Sequence, residues 1–568
     1  MKIHSLKGHR YGATMSILLI VLAISTLMAG MTGCVNRSAS PNAIPIRTWY
    51  DLAAIKNNMS ADYILENDLD STTEGWLDLA SPTANGKQGW KPIVGVNASQ
   101  PIYFTGFFEG KGHDGKNHVI RDLFINRTGE ERVGLFAWIN LFGQVNNVGV
   151  VNATVIGGER VGGLAGQVST ATVRNCYFAG AVTGDSYVGG LVGGIWESGT
   201  VANSYATGSV AGNSTVGGLV GYIKGGPVTV SASHATGSVT GSSEVGGLVG
   251  DIGTGPVTIT GSYATGSVTG GGLAGGLVGR NGEGTVSNCW ATGTVTGDDT
   301  VGGLVGANYG NVTNCHATGN VAGNQSVGGL VGSGSSTCLV GDIGGTLSNC
   351  YATGSVTGSR YVGGLVGWHN GGTVSYSYAT GSVTGNNLTG GLVGNNGEVS
   401  VTFGPSAFND DDSVSIIHHC YATGSVTATN YVGGLVGENS FSIVSNSYGT
   451  GSVTGNSMTG GLVGLNYGGN VSNSYAIGSV TGEDLTGGLV GDWLAGTVSN
   501  SFWDIETSGQ NTSDGGTGKN TTEMKDFTTF SAATWNITAV ANPSVRDLAY
   551  LWNIVDAVTY PFLSWQPV

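Results

Sequence analysis

Basic side chains are scarce in this chain. Lys and Arg number 21 against 36 Asp and Glu, a net charge of −15, and charged residues make up only 10% of the 568. Such a balance repels phosphate backbones, so no nucleic acid is expected as a partner. Cysteine is sparse too, with 7 residues and no C-x-x-C or Cys/His spacing, which argues against a bound metal. No H-E-x-x-H string is present to hold a catalytic zinc on a helix. Helical periodicity is missing from the repeating region, which is too rich in glycine, β-branched residues and turn formers for amphipathic helices. The apolar run near the N-terminus, residues 16–30, falls short of the roughly 20 apolar residues of a membrane-spanning helix.

That run reads instead as an export signal. Lys2, Lys7 and Arg10 precede it and small residues follow it. Its end, Met31-Thr32-Gly33-Cys34, resembles a bacterial lipobox, which implies cleavage after Gly33 and lipidation of Cys34. Residues 1–34 are therefore expected to be a lipoprotein-type signal peptide and residues 35–45 a tether. The expected location is the cell surface or extracellular space, with the membrane reached through a lipid anchor.

Glycine is what the chain has in plenty, 103 residues, and its positions repeat. The string Gly-Gly-Leu-(Val or Ala)-Gly begins at Gly162, Gly189, Gly217, Gly246, Gly275, Gly302, Gly328, Gly363, Gly390, Gly433, Gly460 and Gly487. The steps are 27, 28, 29, 29, 27, 26, 35, 27, 43, 27 and 27, a period of about 27 with two insertions. Between copies runs a second string, best seen as Asn203-Ser204-Tyr205-Ala206-Thr207-Gly208-Ser209-Val210. Two or three strands of four to six residues, separated by glycine turns, account for one unit. No unit can bury its apolar face alone, so the units must stack. The period is too short for a propeller blade of about 40 residues. The expected fold is all-β: a right-handed parallel β-helix or β-solenoid with about 27-residue coils and a cap at each end. These strings resemble the GLUG motif, found in bacterial and archaeal surface proteins and beside immunoglobulin-A-specific metallopeptidases. The resemblance covers about residues 130–505 and implies a solenoid and an exported location, but no chemistry.

Stacking turns each repeat position into a column. An Asn column (Asn175, Asn203, Asn288 and onward) is expected to form an amide ladder at a turn. A small column alternates Cys and Ser, as in Cys176, Ser204, Cys289, Cys315 and Cys350, and reads as tight buried sites with mostly free thiols. A Cys289–Cys315 disulfide is conceivable in an oxidising compartment. Beside it lies an aromatic column that includes Tyr205, Tyr263, Trp290, Tyr351, Tyr378, Tyr421, Tyr448 and Tyr475. Strand alternation places Ser204, Ala206, Gly208 and Val210 inward, and Tyr205, Thr207 and Ser209 outward. This outer strip of rings and hydroxyls is the candidate binding face, able to stack on sugar rings or to grip another protein. Its plainer reading is that the rings stabilise the solenoid.

Residues 46–130 are expected to hold the N-terminal cap and first coils, with a helix start at Asp51 and strands at residues 63–65 and 90–94. Residues 131–505 form the repeat region, with insertions near 333–345 and 397–417, and residues 506–568 a C-terminal cap. In the cap, Asn520 is expected to open a helix, with Glu523 three residues later. Seven of the twelve tryptophans, Trp49, Trp76, Trp90, Trp503, Trp535, Trp552 and Trp565, lie beyond the repeats or at their last edge, as expected of rings that plug the ends. The acidic run Asp410-Asp411-Asp412 in the second insertion is expected to be a solvated loop. No catalytic constellation is found: acids such as Glu197, Glu244, Asp251, Glu283 and Glu438 do not share a column with a basic partner. The expected function is an exported, surface-anchored repeat protein for adhesion or envelope structure, binding proteins or polysaccharides along one face, without a cofactor. The alternative is a carbohydrate-active β-helix enzyme, a lyase or a hydrolase.

Overall fold

A computed structural model describes residues 40–97, 100–333, 345–397 and 414–567. Cys34, Cys338 and Asp410-Asp411-Asp412 lie outside the described residues. The chain winds into an all-β parallel solenoid of about 13 turns of about 28 residues. One column of the stack runs from Phe136 through Ala165, Val192 and Val220 to Val490. At about 4.8 Å per coil, those turns give a rod on the order of 60 Å long.

From Val220 to Gly487 each coil contains five short extended stretches rather than two or three longer ones, whereas the coils before it carry longer strands such as Gly149–Gly162 and Val192–Ala202. In one coil they are Val220–Lys224, Val228–Ser231, His234–Ala235, Val239–Thr240 and Ser243–Gly246. The first two pair into one sheet along the axis, and the other three into a second. Stretches of two residues carry no period of their own, so they were invisible in the sequence. The interior is filled by stacked Leu, Val and Ala; Leu219, Leu248 and Leu277 are all fully buried. Each such leucine contributes about 1.5–3 kcal/mol through burial.

The repeated glycines are required by close approach between coils. A Cβ on Gly218 would lie 2.1 Å from the carbonyl oxygen of Gly247, and one on Gly208 only 1.4 Å from that of Gly180. The Asn column occupies the left-handed turn between the two sheets, with φ of 50° at Asn203 and 53° at Asn288. Ala232, Gly261, Tyr376 and His419 take the same conformation where Asn is missing.

Two column expectations change. Side-chain bonds between neighbouring amides of the turn column occur at Asn175–Asn147 and Asn314–Asn288, without forming a run. The buried amide ladder stands elsewhere, four residues after each repeated Leu. There Asn396 donates to Asn439 Oδ1 and Asn439 to Asn466 Oδ1, at 2.8 and 2.9 Å. His369 joins this ladder through Nδ1, 2.8 Å from Asn396 Oδ1. The small column is polar in role. Ser204 Oγ accepts from the Cys176 N–H and donates to the Ala202 carbonyl, and Ser447 and Ser474 repeat the pattern. The five described cysteines are free and buried, Cys289 and Cys315 among them, so no disulfide joins that pair.

At the N-terminal end, Thr48 and Asp51 form a reciprocal capping box on the helix Trp49–Ala54. Trp49 and Trp90 meet edge to face at 5.7 Å over the first coils. Residues 90–94 form no strand; the strand lies at Gly95–Asn97 and pairs antiparallel with Gln100–Ile102. At the other end the capping bonds of Asn520 and Glu523 form as expected, but they head only a single turn, Glu523–Lys525. The longer helix, Phe527–Ala532, is capped by Asp526.

Candidate functional site

Strand alternation sets the outer face of the second sheet. Ser204 and Ala206 are buried, Tyr205 is half-buried and Thr207 exposed, as the sequence indicates. Register then stacks the rings coil over coil. From Tyr177 through Tyr205, His234, Tyr263, Trp290, His316, Tyr351, Tyr378, Tyr421 and Tyr448 to Tyr475, neighbouring centroids lie 4.6–6.1 Å apart and ring planes differ by 2–9°.

This geometry corrects one expectation. A ring in a parallel stack has both faces against its neighbours, so the ladder shows solvent only ring edges, hydroxyls and ring nitrogens. A sugar ring needs an open aromatic face to lie on, and the ladder withholds its faces. What it offers is a hydrogen-bonding, edge-on surface flanked by Thr207 and its counterparts.

A second correction concerns Tyr421, Tyr448 and Tyr475. They are 5, 4 and 2% exposed, because the C-terminal cap folds back along the side of the rod and covers them. Trp535, Trp552 and Phe530 pack over Tyr448, Tyr475 and Phe502, with centroids 5.5–6.4 Å apart and planes at 36–86°. The final stretch runs up the ladder: Tyr475 Oη donates to the Pro561 carbonyl at 2.5 Å and Tyr448 Oη to Gln566 Oε1 at 2.7 Å. Trp565 then reaches Tyr421 and Tyr378 at 5.8 and 6.5 Å. Burial pushes the phenols of Tyr421, Tyr448 and Tyr475 well above the usual tyrosine range. Tyr205, Thr207, Tyr263, Trp290 and Tyr351 stay outside this cover, their four rings half-buried, and Tyr378, also half-buried, lies at its edge against Trp565. Near the boundary, Tyr376 packs against His419 at 4.9 Å and against Trp565 at 5.9 Å. Burial, and after it the charge of His418, push His419 down to about 4.

The first sheet carries a corner that the sequence did not reveal. The third residue after each repeated Leu faces outward there, in the register Gln167, Gly194, Tyr222, Asp251, Arg280 and Ala307. Asp251 is 3% exposed, and Arg280 binds it with Nε at 2.9 Å and Nη2 at 2.8 Å. An acid therefore does share a column with a base, contrary to expectation. Burial raises the Asp251 carboxyl, opposed by the hydrogen bonds from Arg280. Both carboxylate oxygens are engaged by the guanidinium. Glu438 stands in the same column six coils further on, about 29 Å away, too far to share a scissile bond with Asp251. Beside Tyr222 lie Tyr187 and Trp196, with Arg160 5.1 Å over the indole. The signal for this corner was variation: the residue changes from one coil to the next, while the glycine before it stays constant.

Acids of the N-terminal segment and of the tail make local contacts. Glu109 accepts from the Lys111 N–H and from Asn147 Nδ2, and His113 meets Glu66 at 2.5 Å. His118 lies within 3.4 Å of Asp68 and 3.3 Å of Asp114. Asp504 caps a turn through Glu506 and Thr507 and accepts from the hydroxyls of Thr521 and Tyr560.

Comparison with known proteins locates the repeat. Residues 157–183, 184–211, 270–296, 297–322, 358–384 and 455–481 match the GLUG motif. Halomucin of Haloquadratum walsbyi is 37% identical over 146 residues, which is 25% of this chain and 2% of that protein. The chain thus spans a small fraction of the curated relative it matches. A solved structure from Bacteroides ovatus, named provisionally as an immunoglobulin A1 protease, aligns with 67% of this chain and 85% of its own at 16% identity, with a TM-score of 0.27.

Proposed function

Taking the chain as a protein of GLUG-motif repeats, we propose that it is an exported surface protein that acts as a rigid, non-catalytic docking rod. The open rungs of its ladder, Tyr177 to Tyr351, take a polypeptide partner that lies along the ring edges, and adhesion or envelope architecture follows from that grip. The observation that supports this reading is the chain's own tail. It already lies on the far rungs, edge to ring and hydroxyl to carbonyl, so the surface suits extended, aromatic-bearing polypeptide. The resemblance to surface repeat proteins and the export-like residues 1–34 support the location, with Cys34 as the anchor. Against catalysis stand the engaged carboxylate of Asp251 and its distance from Glu438.

The test uses a fluorescent peptide with the sequence of residues 558–567, added in trans to the full chain. Anisotropy should report saturable binding, weakened at least tenfold when Tyr205, Tyr263 and Tyr351 are all changed to Ala. Binding that survives the triple change, or no binding at all, would sink the docking reading.

A further inference from the structure

The first sheet carries a hollow that the docking reading does not use. It measures about 480 Å³, opens broadly to solvent, and is lined by Trp196, Glu197, Ser198, Lys224, Gly225, Gly226 and Pro227. Its origin lies in a mismatch between two coils. One runs through as a single strand, Val192–Ala202, with Glu197 in the left-handed conformation at φ 67°. The next breaks after Lys224, loops through Gly225-Gly226-Pro227, and restarts at Val228. That loop fits closely over Glu197; a Cβ on Gly226 would lie 2.7 Å from the Glu197 carbonyl oxygen. Trp196 and Lys224 are register partners on adjacent strands and face the same side.

The indole is held in place from several directions. It lies back across Gly194, where a Cβ would come within 2.1 Å of the ring. Tyr187 meets it at 5.8 Å and 86°, and Tyr222 at 5.5 Å and 63°. These rings are tilted against one another, unlike the closed parallel stack of the ladder. An aromatic wall and a proline thus share one open, mostly apolar hollow with Glu197, Ser198 and Lys224, and the Glu197 carboxylate also accepts from Thr170 Oγ1 at 3.4 Å. Few ligand classes combine apolar C–H faces with a rim of hydroxyls that both donate and accept; sugars do. The charges of Glu197 and Lys224 offset each other, and the chain as a whole carries −15, which disfavours a polyanion.

We propose that the hollow beside Trp196 binds a short neutral oligosaccharide, with the ring against Trp196 and Pro227 and its hydroxyls held by Glu197, Ser198 and Lys224. This site lies on a different sheet from the aromatic ladder, so it stands or falls apart from the docking reading.

The test is calorimetric titration of the full chain with neutral hexose and N-acetylhexosamine oligomers of two to six units, and with sulfated counterparts. At least one neutral series should bind, weakened tenfold or more by Trp196→Ala and severalfold by Glu197→Gln. The glutamine change preserves the fold should the alanine not. The Tyr205, Tyr263 and Tyr351 triple variant should bind as the parent does. The proposal is overturned if no neutral oligomer binds at millimolar concentration, if only the sulfated ones bind, or if binding is indifferent to both hollow variants.

Discussion

The two ends of the aromatic ladder are built alike and finish differently. Tyr205 stacks on Tyr177 at 4.9 Å and 6°, and Tyr475 on Tyr448 at 5.0 Å and 4°. Yet Tyr205 is half-buried, whereas Tyr475 is 2% exposed beneath Trp535 and Trp552. Stacking therefore belongs to the coil repeat, and burial belongs to the tail. A column of rings is a scaffold wherever coils stack; it becomes core only where another segment supplies the second layer. The open rungs are the same surface without its cover.

The largest effect should come from removing the cover. Trp552 is fully buried, 4.9 Å from Trp535 and about 6 Å from both Tyr448 and Tyr475. Trp552→Ala should cost the tail about 3–5 kcal/mol, the range for truncating a large core ring. Limited proteolysis should then cut within residues 520–568 while leaving the repeat rod intact. A digestion pattern identical to the parent's would mean that the tail is held by something other than these rings.

A second contrast sets the outer ladder against the inner one. The amide ladder is buried, so a charge cannot be tolerated there, and His369 is its one interruption by a titratable ring among Asn396, Asn439 and Asn466. Burial pushes His369 down from 6.5 to about 4, only partly offset by its bond to Asn396. Between those pH values the unfolded chain takes up a proton that the folded chain refuses. The stability present above pH 6.5 is thus lost as pH falls towards 4, by up to about 3 kcal/mol from this residue. His369→Asn continues the ladder with a neutral amide. Its melting temperature should exceed the parent's at pH 4.5 and match it at pH 7.5. The slope that remains is shared by His234, His316, His418 and His419, which burial also pushes down, and by carboxyls such as Glu66 and Asp70, which their hydrogen bonds hold below the usual range. An unchanged acid slope in the variant would remove His369 from this account.

How far the sequence could be read follows from the same division. The glycines at Gly217, Gly218 and Gly221, the leucine at Leu219 and the alternation around Tyr205 report contacts that every coil repeats, so their spacing declared the solenoid and the outward rings. The tail does not repeat. That Trp535 and Trp552 cover the side of the rod rather than its end is a long-range contact with no periodic trace. Asp251 and Arg280 were missed because they sit at a variable position just after the constant glycine string, where a pairing shows only once the register is known. The amide ladder hid for a related reason: Asn203 and its counterparts form the conspicuous column, while Asn439 and Asn466 stand in a column that other coils fill with different residues.

The smallest effect isolates what a single hydroxyl contributes at each end. Tyr475 Oη donates to the carbonyl of Pro561, and both residues are buried. Tyr475→Phe keeps the stacked ring and leaves that carbonyl without its donor, a loss of about 1–3 kcal/mol. Tyr263→Phe removes a hydroxyl from an open rung, where the stack is equally regular at 4.6 Å on either side. It should change stability by no more than about 0.5 kcal/mol, the usual scale for a surface change away from special features. Paired thermal melts of the two variants read the difference directly. Equal shifts would show that the hydroxyls matter to the stack itself, and the open rungs would then be finished structure rather than a surface awaiting a second layer.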